Sequence, residues 1–379
     1  MDVVQAVIFC AVLAGLFVFR QYCVRWKIPF VLLVLCAGIV LGNVSFAGVL
    51  PLAFPGWLVK AASFVAVVLI VFSSALQVAL RELDRHAGRM GAFILSSMAL
   101  GVFALAVVLW GVFGVSVFAA VIGGLALIGP STAIVLPMLS GLRGEVSVFL
   151  RFEALLNPQI DLVLALALLD LLNEGGAGLF SVGQGLVVQG IVGLGAGVVG
   201  FLFWHASRGS RRRSREVLLV LLLFLSAGVA QAFGGSVVVA MLAFGLLVGA
   251  VLGERKLKFT SRIERGADVF AVVIILMYGV IARGEFPSVA GMVLLLVFFY
   301  GARFLAISRH ERKWSLKERV LATAVAPKGV GSFLLLFYAG GAGIAGFDVL
   351  FPTLMWSLIA LTVAGVAVGQ LARSAGVLR

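Results

Sequence analysis

Gly129-Pro130-Ser131-Thr132 and Ala326-Pro327-Lys328-Gly329 each interrupt a long apolar stretch near its centre. Proline removes an N–H and breaks the helical ladder, so each tetrapeptide frees backbone polar groups. In hydrocarbon every such group costs several kcal/mol, and irregular backbone persists only where it is buried in protein or lines a cavity. One break in each half of the chain points to a solute site at the interface of two repeats, an arrangement of secondary transporters.

The surrounding composition requires a bilayer. Of 379 residues, 63% are hydrophobic and 12% charged, too apolar a chain to be hidden in a soluble fold. Apolar segments of membrane-spanning length fall near 3–19, 28–43, 57–80, 90–113, 115–139, 150–173, 180–204, 216–233, 235–252, 267–282, 289–307, 318–340 and 352–372. The expected fold is an all-α polytopic membrane protein of 13 transmembrane helices, with spans 5 and 12 discontinuous. Met1-Asp2 lacks a basic n-region, so the first segment reads as a permanent helix and not a signal peptide. The polar stretches His205–Glu216 and Gly253–Gly266 are loop-sized, so no soluble domain is expected.

The net charge of +13 is explained by where the charges lie. Lys and Arg gather in alternate loops: Arg20, Arg25 and Lys27; Arg81, Arg85 and Arg89; Arg143 and Arg151; and Arg208–Arg215. Arg255–Arg265, Arg303–Arg319, and Arg373 with Arg379 continue the series, and of the 29 only Lys60, Arg283 and Lys328 fall elsewhere. This asymmetry is the positive-inside rule. It places the N-terminus outside and the C-terminus in the cytosol of a cell inner (cytoplasmic) membrane, with anionic lipid as a secondary contact. Nucleic acid is not an expected partner.

The broken spans are seven apart, an odd number, so equivalent spans cross the membrane in opposite directions. Spans 1–6 therefore match spans 8–13 as an inverted-topology repeat, with span 7 between them.

Ionisable groups deep in hydrocarbon are costly and mark function. Glu153, Asn157 and Asp161 recur at i, i+4 and i+8 and share one helix face. Asp161 lies about 15 Å beyond Arg151 along that helix, near the middle of the bilayer. Pro158 deprives the Ala154 carbonyl of its helical donor. That carbonyl, with Asp161, Asn157, Ser131 and Thr132, makes an oxygen-rich setting for a small hard cation. Lys328 needs a carboxylate partner at that depth, Glu153 or Asp161. Its structural reading is an ion pair with Glu153; its functional reading is a group that releases a carboxylate when a cation arrives. Asp170 falls near the outer end, where interfacial solvation suffices. Ser73, Ser74, Gln77, Gln184, Gln189 and Gln231 read as bonds between neighbouring helices.

Other chemistries find little support. His86, His205 and His310 sit beside arginines in loops, without metal-ligand spacing. No HExxH, CxxC or phosphate-loop pattern occurs. The three cysteines, Cys10, Cys23 and Cys36, read as small packing residues. No enzyme activity, cofactor or resident metal is expected.

In order along the chain, several fragments resemble the monovalent cation:proton antiporter superfamily, which includes sodium/proton exchangers and potassium-efflux antiporters. Lys27-Ile28-Pro29 through Gly42 resembles its second-helix "P…AGiliG", and Val68–Arg89 its "LLLFlaGLelDlrelrrha". Ser131-Thr132-Ala133-Ile134-Val135 is similar to "SSTAVV" of the potassium-efflux branch, where the sodium/proton branch has "TDPVAV". Phe152–Asn157 resembles "GESLLND", and Ala326–Val330 resembles "GPRGVV".

The resemblance implies dimerisation or scaffold helices over 1–80 and 216–282, core transport helices over 90–173 and 289–379, and a linking helix over 180–204. It implies a homodimer whose core moves like an elevator, and it matches Glu153 and Lys328 to the acidic and basic residues the family pairs. The chain departs from the family at two points. Pro158 stands where the ion-binding aspartate follows the asparagine, and Ser131 where the "TDP" aspartate stands. Asp161 then reads as the substitute from its own position.

The expected function is secondary active exchange of Na⁺ or K⁺ for protons, with Asp161, Asn157, Thr132 and Ser131 at the ion and Pro130, Pro158 and Pro327 as helix breaks. The alternatives are a non-transporting homologue acting as sensor or partner subunit, or a transporter of another small solute.

Overall fold

The computed structural model describes residues 3–26, 30–44, 52, 54–76, 80–139, 144–173, 179–207, 212–252, 260–281, 288–341 and 343–374. Lys27, Gln77, Arg143, Arg208, Arg211, Arg255, Lys256, Lys258, Arg283 and Arg379, singled out above, lie outside them. The described residues form fifteen helices and no strand. In chain order these are α1 (Val3–Trp26), α2 (Phe30–Asn43), α3 (Gly56–Leu76), α4 (Leu80–Phe113), α5 (Val117–Ile128) and α6 (Thr132–Met138). Then come α7 (Glu145–Asn173), α8 (Leu179–Ala206), α9 (Arg212–Ala232), α10 (Val237–Leu252) and α11 (Thr260–Ile281). The series ends with α12 (Val289–His310), α13 (Leu316–Ala324), α14 (Val330–Gly341) and α15 (Phe347–Ser374).

The two tetrapeptides end helices, as their prolines dictate. The fifth apolar segment is divided between α5 and α6, and the twelfth between α13 and α14. Ser116 caps α5, its side chain accepting from the Ala119 N–H, and Ser315 opens α13 with a capping box closed by Glu318. By length and composition, seven of the described helices can cross a membrane. α4 begins ten residues before the apolar segment expected at 90–113, because charged residues such as Arg81 and Glu82 are good helix formers.

Glycine sets how closely the helices approach. A Cβ on Gly38 or Gly42 of α2 would strike the backbone of Leu276, Gly279 and Val280 in α11. In α8, Gly193 presses on the carbonyl of Ser236, just before α10, and Gly197 on that of Ala240 in α10, as small-residue faces do in membranes. α2 packs on α11, α3 on α10 and α11, and α8 on α9 and α10. α4, α5, α6, α7, α12, α13, α14 and α15 pack mainly among themselves. Contacts of α14 with α11, and of α7 with α3, α8 and α10, join the two groups. A separate apolar cluster stacks Phe93 on Phe149 at 4.5 Å and Phe149 on Trp314 at 5.0 Å, tying α4 and α7 to the α12–α13 turn.

Candidate functional site

The two breaks meet inside the second group of helices. The Ser131 N–H donates to the Pro327 carbonyl at 2.7 Å, so each break satisfies part of the other. Gly329 sits against Ser131 so closely that a Cβ there would collide with the hydroxyl. Thr362 of α15 serves the second break twice. Its Oγ1 accepts from the Lys328 N–H at 3.2 Å, and lies within donating distance of the carbonyls of Lys328 (3.0 Å) and Leu358 (2.7 Å). Gly365 of α15 packs on Pro327, whose ring nitrogen lies 2.6 Å from where a Cβ would stand.

α7 runs beside this junction and carries its three polar residues inward. Glu153 and Asn157 are fully buried and Asp161 is 3% exposed. Pro158 lies within α7. The Ala154 carbonyl that it frees accepts a hydrogen bond from Thr132 Oγ1 at 2.5 Å. That carbonyl is therefore the dock of α6 on α7, and not the open cation ligand expected from the sequence. Asp161 points at the first break: its Oδ2 lies 2.6 Å from the position of a Cβ on Gly129. Both carboxylate oxygens of Asp161, and the amide oxygen and nitrogen of Asn157, have no hydrogen-bond partner among the described residues.

The charged groups pair differently from the expectation. Glu153 is held by Arg303, which makes a two-pronged contact, Nη1 to Oε1 and Nη2 to Oε2, the latter at 2.6 Å. Arg303 also donates from Nε to the Ala322 and Thr323 carbonyls at 3.3 and 3.1 Å, closing the C-terminal end of α13. Guanidinium is the side chain suited to this duty, because its planar fork serves a carboxylate and carbonyls together. Arg303 is 4% exposed and lies within α12, so it belongs to the core and not to the cytosolic loop series. Lys328, with no exposure, makes no ion pair with Glu153 or Asp161 among the described residues. Its ammonium donates to the Ile128 carbonyl at 2.6 Å and lies 4.1 Å from the centre of the Phe299 ring. The two buried cations thus occupy equivalent posts, Arg303 at the C-terminus of α13 and Lys328 at that of α5.

A cavity of about 480 Å³ opens beside the junction. Gly129, Pro130, Ser131, Thr132, Pro158 and Gln159 line one side, with Gly329 and Ser332. Ser73, Ser74 and Val71 of α3 face them, and Arg20 and Asp268 also border the space. Asp161 stands just behind Gly129 and Pro158.

The arrangement is a sheltered carboxylate and amide, without hydrogen-bond partners among the described residues, next to two unwound segments and a polar cavity. Such a set accepts a proton or a small cation. The family model for the transmembrane part of sodium/hydrogen exchangers matches residues 8–374.

The chain belongs to the sodium/hydrogen exchanger family.

Two solved structures of the sodium proton antiporter MjNhaP1 from Methanocaldococcus jannaschii share the fold. The structure at pH 8 is 17% identical, with 99% of this chain and 97% of that chain covered, at a TM-score of 0.77. An electron-microscopy map of the same antiporter is 18% identical, covering 100% and 97%, again at 0.77. No curated protein matches the sequence. As a member of the sodium/hydrogen exchanger family, the chain is a multi-pass membrane protein of a transporter class.

Sequence reasoning missed Arg303 and Thr362. Arg303 has Phe304-Leu305-Ala306-Ile307 between it and the basic loop, an apolar turn that places it inside the segment. Nothing in the sequence distinguishes Thr362 from a helix-bonding threonine.

Proposed function

We propose that this exchanger-family chain is a secondary transporter that swaps a monovalent cation, Na⁺ or K⁺, for protons by elevator-type alternating access. The observation that carries the reading is the Asp161 carboxylate, buried, facing the first break, and, like Asn157, without a hydrogen-bond partner among the described residues. A bare carboxylate in such surroundings is costly. Either a proton or a cation relieves that cost, and because one carboxylate cannot hold both, the two compete. Asn157 Oδ1, Ser131 and Thr132 supply further oxygens. Glu153 and Lys328 act as structural charges, one held by Arg303 and the other at the end of α5. Pro130 and Pro327 keep the crossing segments unwound, whereas Pro158, expected as a third break, sits in the unbroken helix α7 and frees only the Ala154 carbonyl. The Ser131-Thr132 pair, like that of potassium-efflux antiporters, keeps K⁺ beside Na⁺ as a candidate ion.

The inverted repeat draws support from the packing. Matching α1–α7 to α9–α15 turns the α2–α11 contact into α10–α3, α4–α5 into α12–α13, and α4–α7 into α12–α15, and all of these occur. In this reading thirteen spans cross the inner membrane with the N-terminus outside and the C-terminus inside. The scaffold is 1–80 with 216–282, the moving core 90–173 with 289–379, and the link 180–204. Two copies join through the scaffold.

The test is exchange in proteoliposomes and everted vesicles. Wild-type protein is expected to collapse a pH gradient on addition of Na⁺ or K⁺. Asp161→Asn should abolish this while its detergent-solubilised form keeps the wild-type elution profile. Unchanged exchange in Asp161→Asn removes Asp161 from the mechanism. A second reading, a non-transporting sensor or partner subunit, is favoured by one observation: Pro158 stands where the family's aspartate stands. Wild-type liposomes silent to Li⁺, Na⁺ and K⁺ at every pH would select it.

A further inference from the structure

The mouth of the cavity carries a charge pair that the exchange chemistry described so far does not use. Arg20 of α1 and Asp268 of α11 meet through a single Nη2–Oδ2 contact of 3.2 Å, with side chains 46% and 50% exposed. Both border the cavity that runs to Gly129, Ser131 and Pro158. They lie at the ends of the first and tenth apolar segments. Among the described residues that line this space Asp268 is the only carboxylate; the other polar lining there is serine, threonine, glutamine and Arg20 itself.

The surroundings make one carboxylate matter. Nearby on α11, Arg262 is already paired with Glu216 of α9 at 3.2 Å, which leaves the Arg20–Asp268 pair as the charge at the cavity itself. An acidic group at the opening of a cavity raises the local concentration of cations within a Debye length of about 8 Å. An ion pair half open to water is weak, so a cation can displace its basic member. The released guanidinium has somewhere to stay, because Arg20 already lies 5.9 Å from the centre of the Phe30 ring.

We propose that Asp268 is the entry station for the transported cation, held shut by Arg20. A hydrated monovalent cation takes the place of Arg20 on Asp268, then moves along the serine- and threonine-lined cavity to Asp161. No covalent step is involved. The inference rests on the exchange reading above, and its test separates the two.

Exchange is measured with Na⁺ and with K⁺ in right-side-out and in everted vesicles, so that the apparent KM is obtained on each face. Asp268→Asn should raise the apparent KM about threefold to tenfold on the face where the cavity opens. KM on the opposite face and the maximal rate should stay unchanged. Arg20→Gln should lower KM about twofold or more on the same face, since the carboxylate loses its competitor. Asp268→Glu should restore the wild-type KM, which guards against a folding defect in the amide variant. A KM unmoved on both faces, or shifted equally on both, overturns the entry station while exchange itself stands. Wild-type protein without exchange overturns both readings.

Discussion

Gly129 leaves the space into which Asp161 points. Its backbone is extended, at φ −62° and ψ 125°, so any residue could adopt the conformation and the constraint is purely one of room. A methyl group there would lie 2.6 Å from Asp161 Oδ2, closer than real contacts allow, and a tight 3.0 Å from Pro158 Cα. Gly129→Ala should therefore push the carboxylate aside and reduce exchange at least about tenfold, as small misplacements of a reacting group do. Gly331, with nothing near its Cβ position, is the control, and Gly331→Ala should leave exchange near wild type. Equal rates for Gly129→Ala and wild type in vesicles would show that Asp161 has more freedom than its setting suggests.

At the scale of elements, Glu153 and Arg303 tie three helices together: α7 by the carboxylate, α12 by the arginine, and α13 by the carbonyls that the arginine caps. Glu153→Gln leaves a buried guanidinium without its counter-charge, which should cost about 3–5 kcal/mol and lower the thermal midpoint in detergent. Glu153→Leu combined with Arg303→Met should recover part of that loss. Recovery stays partial because the Ala322 and Thr323 carbonyls lose their donor. A double variant no more stable than Glu153→Gln would contradict this division of roles. Much at this scale was legible from sequence. Gly-Pro and Ala-Pro inside apolar runs announced both breaks, and the i, i+4, i+8 spacing announced the buried face of α7. The partners were not legible. For Glu153 the sequence offers only Lys328, because Arg303 groups with the loop charges, and its true partner depends on how α12 and α13 pack. Likewise the Ala154 carbonyl was visible as an orphan, but the approach of Thr132 across a gap of 22 residues was not.

For the whole molecule, the cavity separates α3 and α11 from the two breaks, so it lies between the helices assigned here to scaffold and core. A moving core predicts coupled exposure. Single cysteines at Ser74, in α3, and Ser332, in α14, would be introduced after replacing Cys10, Cys23 and Cys36. Both should react with a membrane-impermeant maleimide from one face only, and conditions that turn the core over should protect both together. Equal labelling from both faces, or protection of one without the other, would contradict rigid movement. The docking of Thr132 has a consequence for what this cavity admits. A hydroxyl that points its hydrogen at the Ala154 carbonyl has only lone pairs left for the cavity. At that spot the wall is an electron donor by construction, so it rewards cations and gives anions such as chloride nothing to bind.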